Sequence, residues 1–120
     1  MLTKAVLVVD DDDNIARLVA WVLRGASYKV RTASNGREAL EAVAQDMPDL
    51  ILLDMKMPVV DGREFVSEFR TVFNDKAPIV ILTAAEDAKE RAREIDAAGW
   101  IGKPFDLNTL VSVVGQYTAK

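Results

Sequence analysis

The chain has 120 residues, half of them apolar, and a formal charge of −4 from 19 acidic and 15 basic side chains. That is enough to bury the core of one ordinary domain, so a single unit over residues 1–120 is expected. The acidic balance and scattered basic residues argue against direct nucleic-acid binding, which needs a basic stripe to neutralise phosphates. The chain has neither cysteine nor histidine, so thiolate and imidazole chemistry are excluded and only carboxylates, hydroxyls, lysines and backbone remain. Apolar runs such as AVLVV and LILL are too short to span a bilayer, and MLTK lacks a signal-peptide pattern. A soluble, cytoplasmic domain without membrane contact is the expectation.

In chain order, Ala5 to Val9 predicts a strand that runs into four acids, Asp10 to Asp13. Ile15, Leu18, Val19, Val22 and Leu23 follow at helical spacing, with Gly25 as the stop. Tyr28 to Thr32 predicts a second strand, and Asn35 to Gln45 a helix with Ala39, Leu40 and Val43 on one face. DLILLD, 49–54, is apolar on both faces, as a central parallel strand covered on both sides must be. After the loop MKMPVVDG comes a helix carrying Phe65, Val66, Phe69, Val72 and Phe73, with Asp61 and Gly62 as its turn and entry. PIVILT, 78–83, predicts a second buried strand. Ala85 to Ala97 predicts a polar helix anchored by small residues and Ile95, and therefore the least firmly docked element. Trp100 to Lys103 predicts a last strand, and Leu107 to Tyr117 a closing helix with Leu110, Val111 and Val114 inward. The ending YTAK reads as a helix end rather than a linker, which favours a stand-alone unit over a piece of a longer chain, and both readings stay open.

Five βα units imply an α/β fold: a doubly wound parallel sheet with helices on both faces. In such a sheet the carboxyl ends of the strands share one edge, where ligands bind. Asp10 and Asp11 close the first strand, Asp54 the third, Thr83 the fourth and Lys103 the fifth. Clustered carboxylates repel unless a cation neutralises them. An oxygen-only donor set suits magnesium, with manganese as the alternative ion, and does not suit zinc. Asp12 and Asp13 read instead as a helix start, where acids cap free N–H groups. With the cation in place, one carboxylate can accept a phosphoryl group whose oxygens are held by the metal, the Lys103 ammonium and the Thr83 hydroxyl.

VVDDDDNI, LILLDMKMPVVDG, ILTA and GKPF, in this order and spacing, resemble the receiver domain of two-component response regulators over essentially the whole chain. The resemblance implies a flavodoxin-like five-stranded sheet of order 2-1-3-4-5. It implies that Asp54 is the phosphoacceptor, loaded by a histidine kinase or phosphotransfer protein, and that the domain is no enzyme beyond its own phosphorylation and dephosphorylation. Asp11, Asp54 and the backbone carbonyl of Lys56 would hold magnesium directly, with Asp10 acting largely through water. Lys103 would contact the phosphoryl group, the Lys103–Pro104 bond would be cis, and Thr83 and Trp100 would form the switch pair. Lys56 and Ala85 stand where the family tunes phosphoryl lifetime. Strand five and the last two helices would carry the contact with a downstream protein target.

Trp100 has two readings at this point, core residue or switch residue. Asp96 stands where the family often has glycine and predicts a left-handed helix end. An aspartate-nucleophile phosphohydrolase of the haloacid dehalogenase type is the alternative, but it would place a second Asp where this chain has Lys56. A phosphorylation-independent binding module is the third reading, disfavoured because all five site residues are present.

Overall fold

The computed structural model describes residues 3–55, 62–74 and 76–119. Its elements alternate as β1 (Ala5–Val9), α1 (Asp13–Gly25), β2 (Lys29–Ala33), α2 (Gly36–Gln45), β3 (Leu50–Asp54), α3 (Gly62–Phe73), β4 (Ile79–Ala84), α4 (Ala85–Glu94), β5 (Gly99–Lys103) and α5 (Leu107–Thr118). The strands pair in parallel in the order β2-β1-β3-β4-β5, as the resemblance implied.

Successive side chains of a strand point to opposite faces, and both faces of this sheet are buried. Val6, Val8, Leu50, Leu52, Val80, Leu82 and Ile101 pack under α1 and α5, against Val19, Leu23, Leu110 and Val114. Leu7, Val9, Ile51, Leu53, Ile79 and Ile81 pack on the other face with Phe65, Phe69 and Ile95 from α3 and the end of α4. Double coverage explains why β3 reads as an unbroken apolar run and why Leu50 to Leu53 are fully buried. Each such side chain contributes about 1.5–3 kcal/mol of burial.

Helix ends follow local chemistry. Asp12 caps α1, its carboxylate accepting from the N–H groups of Asn14 and Ile15, and Asp13 lies in the first turn; both therefore belong to the helix start. Gly25 is the last residue of α1, but the left-handed residue beyond it is Ser27, at φ 76°. There Tyr28 N–H donates to Leu23 O and Ser27 N–H to Arg24 O, the paired bonds of a Schellman end. Helix α4 closes the same way, three residues earlier than its composition suggested. Asp96 takes φ 53°, and the N–H groups of Ala97 and Asp96 donate to Ala92 and Arg93. The Lys103–Pro104 bond is cis.

Several faces differ from the periodicity. On α1 the buried stripe is Ala16, Val19, Ala20 and Leu23, while Leu18 is exposed; the small alanines let the helix lie close to the sheet. Val72 of α3 is exposed, and Val111 of α5 only half-buried. Trp100 is not a core residue: it is 47% exposed, on β5 at the edge of the sheet. Lys56 and Asp61 lie outside the described residues. Among the described residues, no helix is long and apolar enough to cross a membrane.

Candidate functional site

Strand register brings the acids together. Val9 pairs with Leu53 across β1 and β3, so the next residues, Asp10 and Asp54, stand side by side at the carboxyl end of the sheet. Across β4 and β5, Thr83 pairs with Gly102 and Ala84 with Lys103. Side-chain alternation then sorts these groups. Asp10, Asp54 and Lys103 share the parity of the residues under α1 and α5, whereas Thr83 shares that of Ile79 and Ile81, which face α3 and α4.

Asp10, Asp54 and Thr83 are 1%, 6% and 4% exposed, which is unusual for such polar side chains. Lys103 Nζ lies 3.1 Å from Asp10 Oδ2 and 3.9 Å from Asp54 Oδ2. The other oxygen of Asp10 accepts the N–H of Asp12 at 2.9 Å. Asp10 is thus a carboxylate already engaged on both oxygens, and Asp11 is its exposed neighbour. One carboxylate oxygen each from Asp10, Asp11 and Asp54 lies within 4.8 Å of the others. Three acids facing one ammonium leave an excess of negative charge. The oxygen-only donor set fits a hard divalent cation that keeps several waters.

Close approach positions the walls. A Cβ at Gly62 would stand 2.8 Å from Met55 Sδ and 2.9 Å from Met55 Cα, so only glycine lets α3 start against the residue after Asp54. A Cβ at Gly102 would stand 2.6 Å from both Cα and Cβ of Ala85, so glycine also seats the start of α4 on β5.

The sequence did not reveal how α3 and α4 are tied. Glu94 Oε1 on α4 takes Arg63 of α3 and, at 3.0 Å, Arg91 of α4 itself. Arg70 of α3 donates to the backbone oxygens of Ile95 and Asp96 at the end of α4. The helix expected to be least firmly docked is therefore clamped by arginines as well as by buried Ala88 and Ala92. The i, i+3 spacing of Arg91 and Glu94 was visible in the sequence; the reach across from α3 was not. Between these helices lies a cavity of about 310 Å³ lined by Met55, Arg63, Thr83, Asp87 and Arg91. A larger one, about 490 Å³, lies between α2 and α3 among Arg37, Leu40, Glu41 and Glu64, away from the strand ends.

Residues 6–115 match the family described as the response regulator receiver domain. The chain belongs to that family. Relatives of this receiver include the response regulator MprA of Mycolicibacterium vanbaalenii, 38% identical over 109 residues, 89% of this chain and 47% of MprA. Sporulation initiation phosphotransferase F of Bacillus subtilis is 34% identical over 119 residues, 98% of this chain and 95% of that protein. The receiver thus spans about half the length of MprA and nearly all of the sporulation protein. The chemotaxis protein CheY4 of Vibrio cholerae has the same fold, with a TM-score of 0.87 at 36% identity over 97% of this chain and 99% of its own. These relatives favour a two-component signalling module over the phosphohydrolase alternative. Of the expected site residues, Asp10, Asp11, Asp54 and Lys103 come together in the receiver. Thr83 lies beside them facing the α3–α4 cavity, and Trp100 stands apart on the outer strand.

Proposed function

We propose that Asp54 is the phosphoacceptor of this receiver and that Asp10 and Asp11 complete its cation site. The supporting observation is the convergence of three carboxylates within 4.8 Å beside the Lys103 ammonium. Asp54 would use one oxygen to attack phosphorus. Lys103, already near both Asp10 and Asp54, would hold a phosphoryl oxygen, and the Thr83 hydroxyl, on the next strand, would hold another. Asp11 and Asp54, with the Lys56 carbonyl, would ligate magnesium or manganese directly, Asp10 acting through water. The ion supplies charge that lets a dianionic phosphoryl group approach an anionic carboxylate. The domain would catalyse only its own phosphorylation and dephosphorylation.

The phosphoryl group would come from a histidine kinase or phosphotransfer protein, since the chain has no histidine of its own. An apolar cavity of about 450 Å³ lined by Ile15, Leu18, Pro104 and Phe105 adjoins Lys103, and supports docking of that donor next to the site. For output we favour β5, α4 and α5, where half-exposed Trp100 meets Val113, Gln116 and Tyr117 around a small hollow. Thr83 and Trp100 would act as the switch pair.

Intact-mass measurement after incubation with magnesium and acetyl phosphate tests the phosphoacceptor. One phosphate adduct, absent in Asp54→Asn, is the expected result. An adduct that survives Asp54→Asn would move the acceptor elsewhere, and no adduct with any donor would support a phosphorylation-independent module.

A further inference from the structure

We propose that the cavity between α3 and α4 is a leaving-group subsite for small acyl phosphates, with Arg63 and Arg91 receiving the departing carboxylate. This rests on the reading of Asp54 as phosphoacceptor. The cavity wall includes Thr83 and Met55, the residue after Asp54, so it is the neighbouring space for a donor whose phosphoryl group sits at the strand ends. Its volume of about 310 Å³ accommodates a small carboxylate with water.

Arg63 and Arg91 both line it, and among the described residues the only ion pair of either is with the single oxygen Glu94 Oε1. A guanidinium carries five N–H donors in a planar fork, so most donors of this pair are not used by Glu94. Asp87 is the acidic member of the lining, but it lies in the first turn of α4, where the helix N-terminus offsets negative charge. The cavity therefore offers two carboxylate-binding cations beside a phosphoryl site. Tying α3 to α4 would need only one of them.

The step balances without a proton. An Asp54 oxygen forms a bond to phosphorus, the bond from phosphorus to the acyl oxygen breaks, and its electron pair leaves on the carboxylate. That anion is what Arg63 and Arg91 would stabilise as it forms. A donor that releases neutral ammonia, phosphoramidate, makes no such demand.

The test compares phosphorylation rates of the whole chain with acetyl phosphate and with phosphoramidate, in magnesium buffer, by intact mass. Arg63→Gln/Arg91→Gln should slow acetyl phosphate about tenfold, the order expected for charge-assisted donors at a partly exposed site, and leave phosphoramidate within about twofold. Glu94→Gln breaks the same ion pairs but keeps both cations, so it should keep or raise the acetyl phosphate rate. An equal fall with both donors, no fall with either, or Glu94→Gln behaving like the arginine pair would overturn the proposal. A wild-type chain inert to both donors would instead remove the phosphoacceptor reading on which it rests.

Discussion

Replacing Lys103 by methionine keeps most of the side chain's length and apolar stem but removes the ammonium from the acidic cluster. Its nitrogen is 3.1 Å from Asp10 and 3.9 Å from Asp54. At an effective dielectric near 20, each contact represents on the order of 4 kcal/mol of attraction before desolvation. Breaking a buried ion pair costs about 3–5 kcal/mol net, and because the Lys103 side chain is 23% exposed we expect the lower end, about 3 kcal/mol. With a urea m-value of about 2 kcal/mol/M, the unfolding midpoint in EDTA should fall by about 1.5 M. Magnesium should recover much of this loss, because a cluster stripped of its ammonium has more negative charge for the ion to neutralise. We expect the variant to bind magnesium about tenfold more tightly, which at saturating ion adds about 1.4 kcal/mol of stability relative to wild type. The assay is urea denaturation in EDTA and in magnesium, with a magnesium titration of each folded protein. Equal midpoint losses in both buffers, with unchanged magnesium affinity, would refute the idea that Lys103 and the cation neutralise the same carboxylates.

Trp100 should report on the site if it is the switch partner of Thr83. In a Trp21→Phe background, which leaves one tryptophan, its fluorescence should change when magnesium and beryllofluoride are added, and a flat titration at saturation would uncouple it. Ser27→Gly and Asp96→Gly should each stabilise by about 1 kcal/mol, since both residues pay the left-handed backbone cost that glycine avoids; denaturation midpoints decide, and a loss at either position would show that its side chain has another role. Hydrogen bonds from Ser34 hold the Glu38 carboxyl below its usual value, and those from Thr109 do the same for Asp106. A carboxyl whose folded pKa is depressed adds stability that is present above its unfolded pKa and lost as pH falls through the folded one. Glu38→Gln/Asp106→Asn should therefore flatten the acid limb of the stability curve, and an unchanged limb would mean that these caps do not contribute to it.

Much of the fold was readable because β strands and helices leave different periods in the chain. The runs AVLVV, LILL and IVIL are buried on both faces, and only a doubly covered parallel sheet accounts for three of them alternating with helices. The acids at the ends of these runs were readable for the same reason: strand ends in such a sheet share an edge. Asp12 at the start of a helix followed from local chemistry, which acts within a few residues, and Asp96 as a left-handed residue from its place where the family often has glycine.

What escaped the sequence depends on contacts between distant segments. Periodicity could not say that α1 would turn its alanines inward and leave Leu18 out, because that depends on how close the helix lies to the sheet. Nor could it exclude a buried Trp100, since only the assembled layers decide what covers a side chain on β5. The clamp of Arg63, Arg70 and Glu94 on α4 joins residues about 25 to 31 positions apart, and a charge's partner across that span is set by packing geometry. The residue types and strand-end positions determined which groups meet at the sheet edge. Tertiary structure alone decided that a cavity with two arginines stands next to them, because helix spacing and long side-chain reach are properties of the assembled layers.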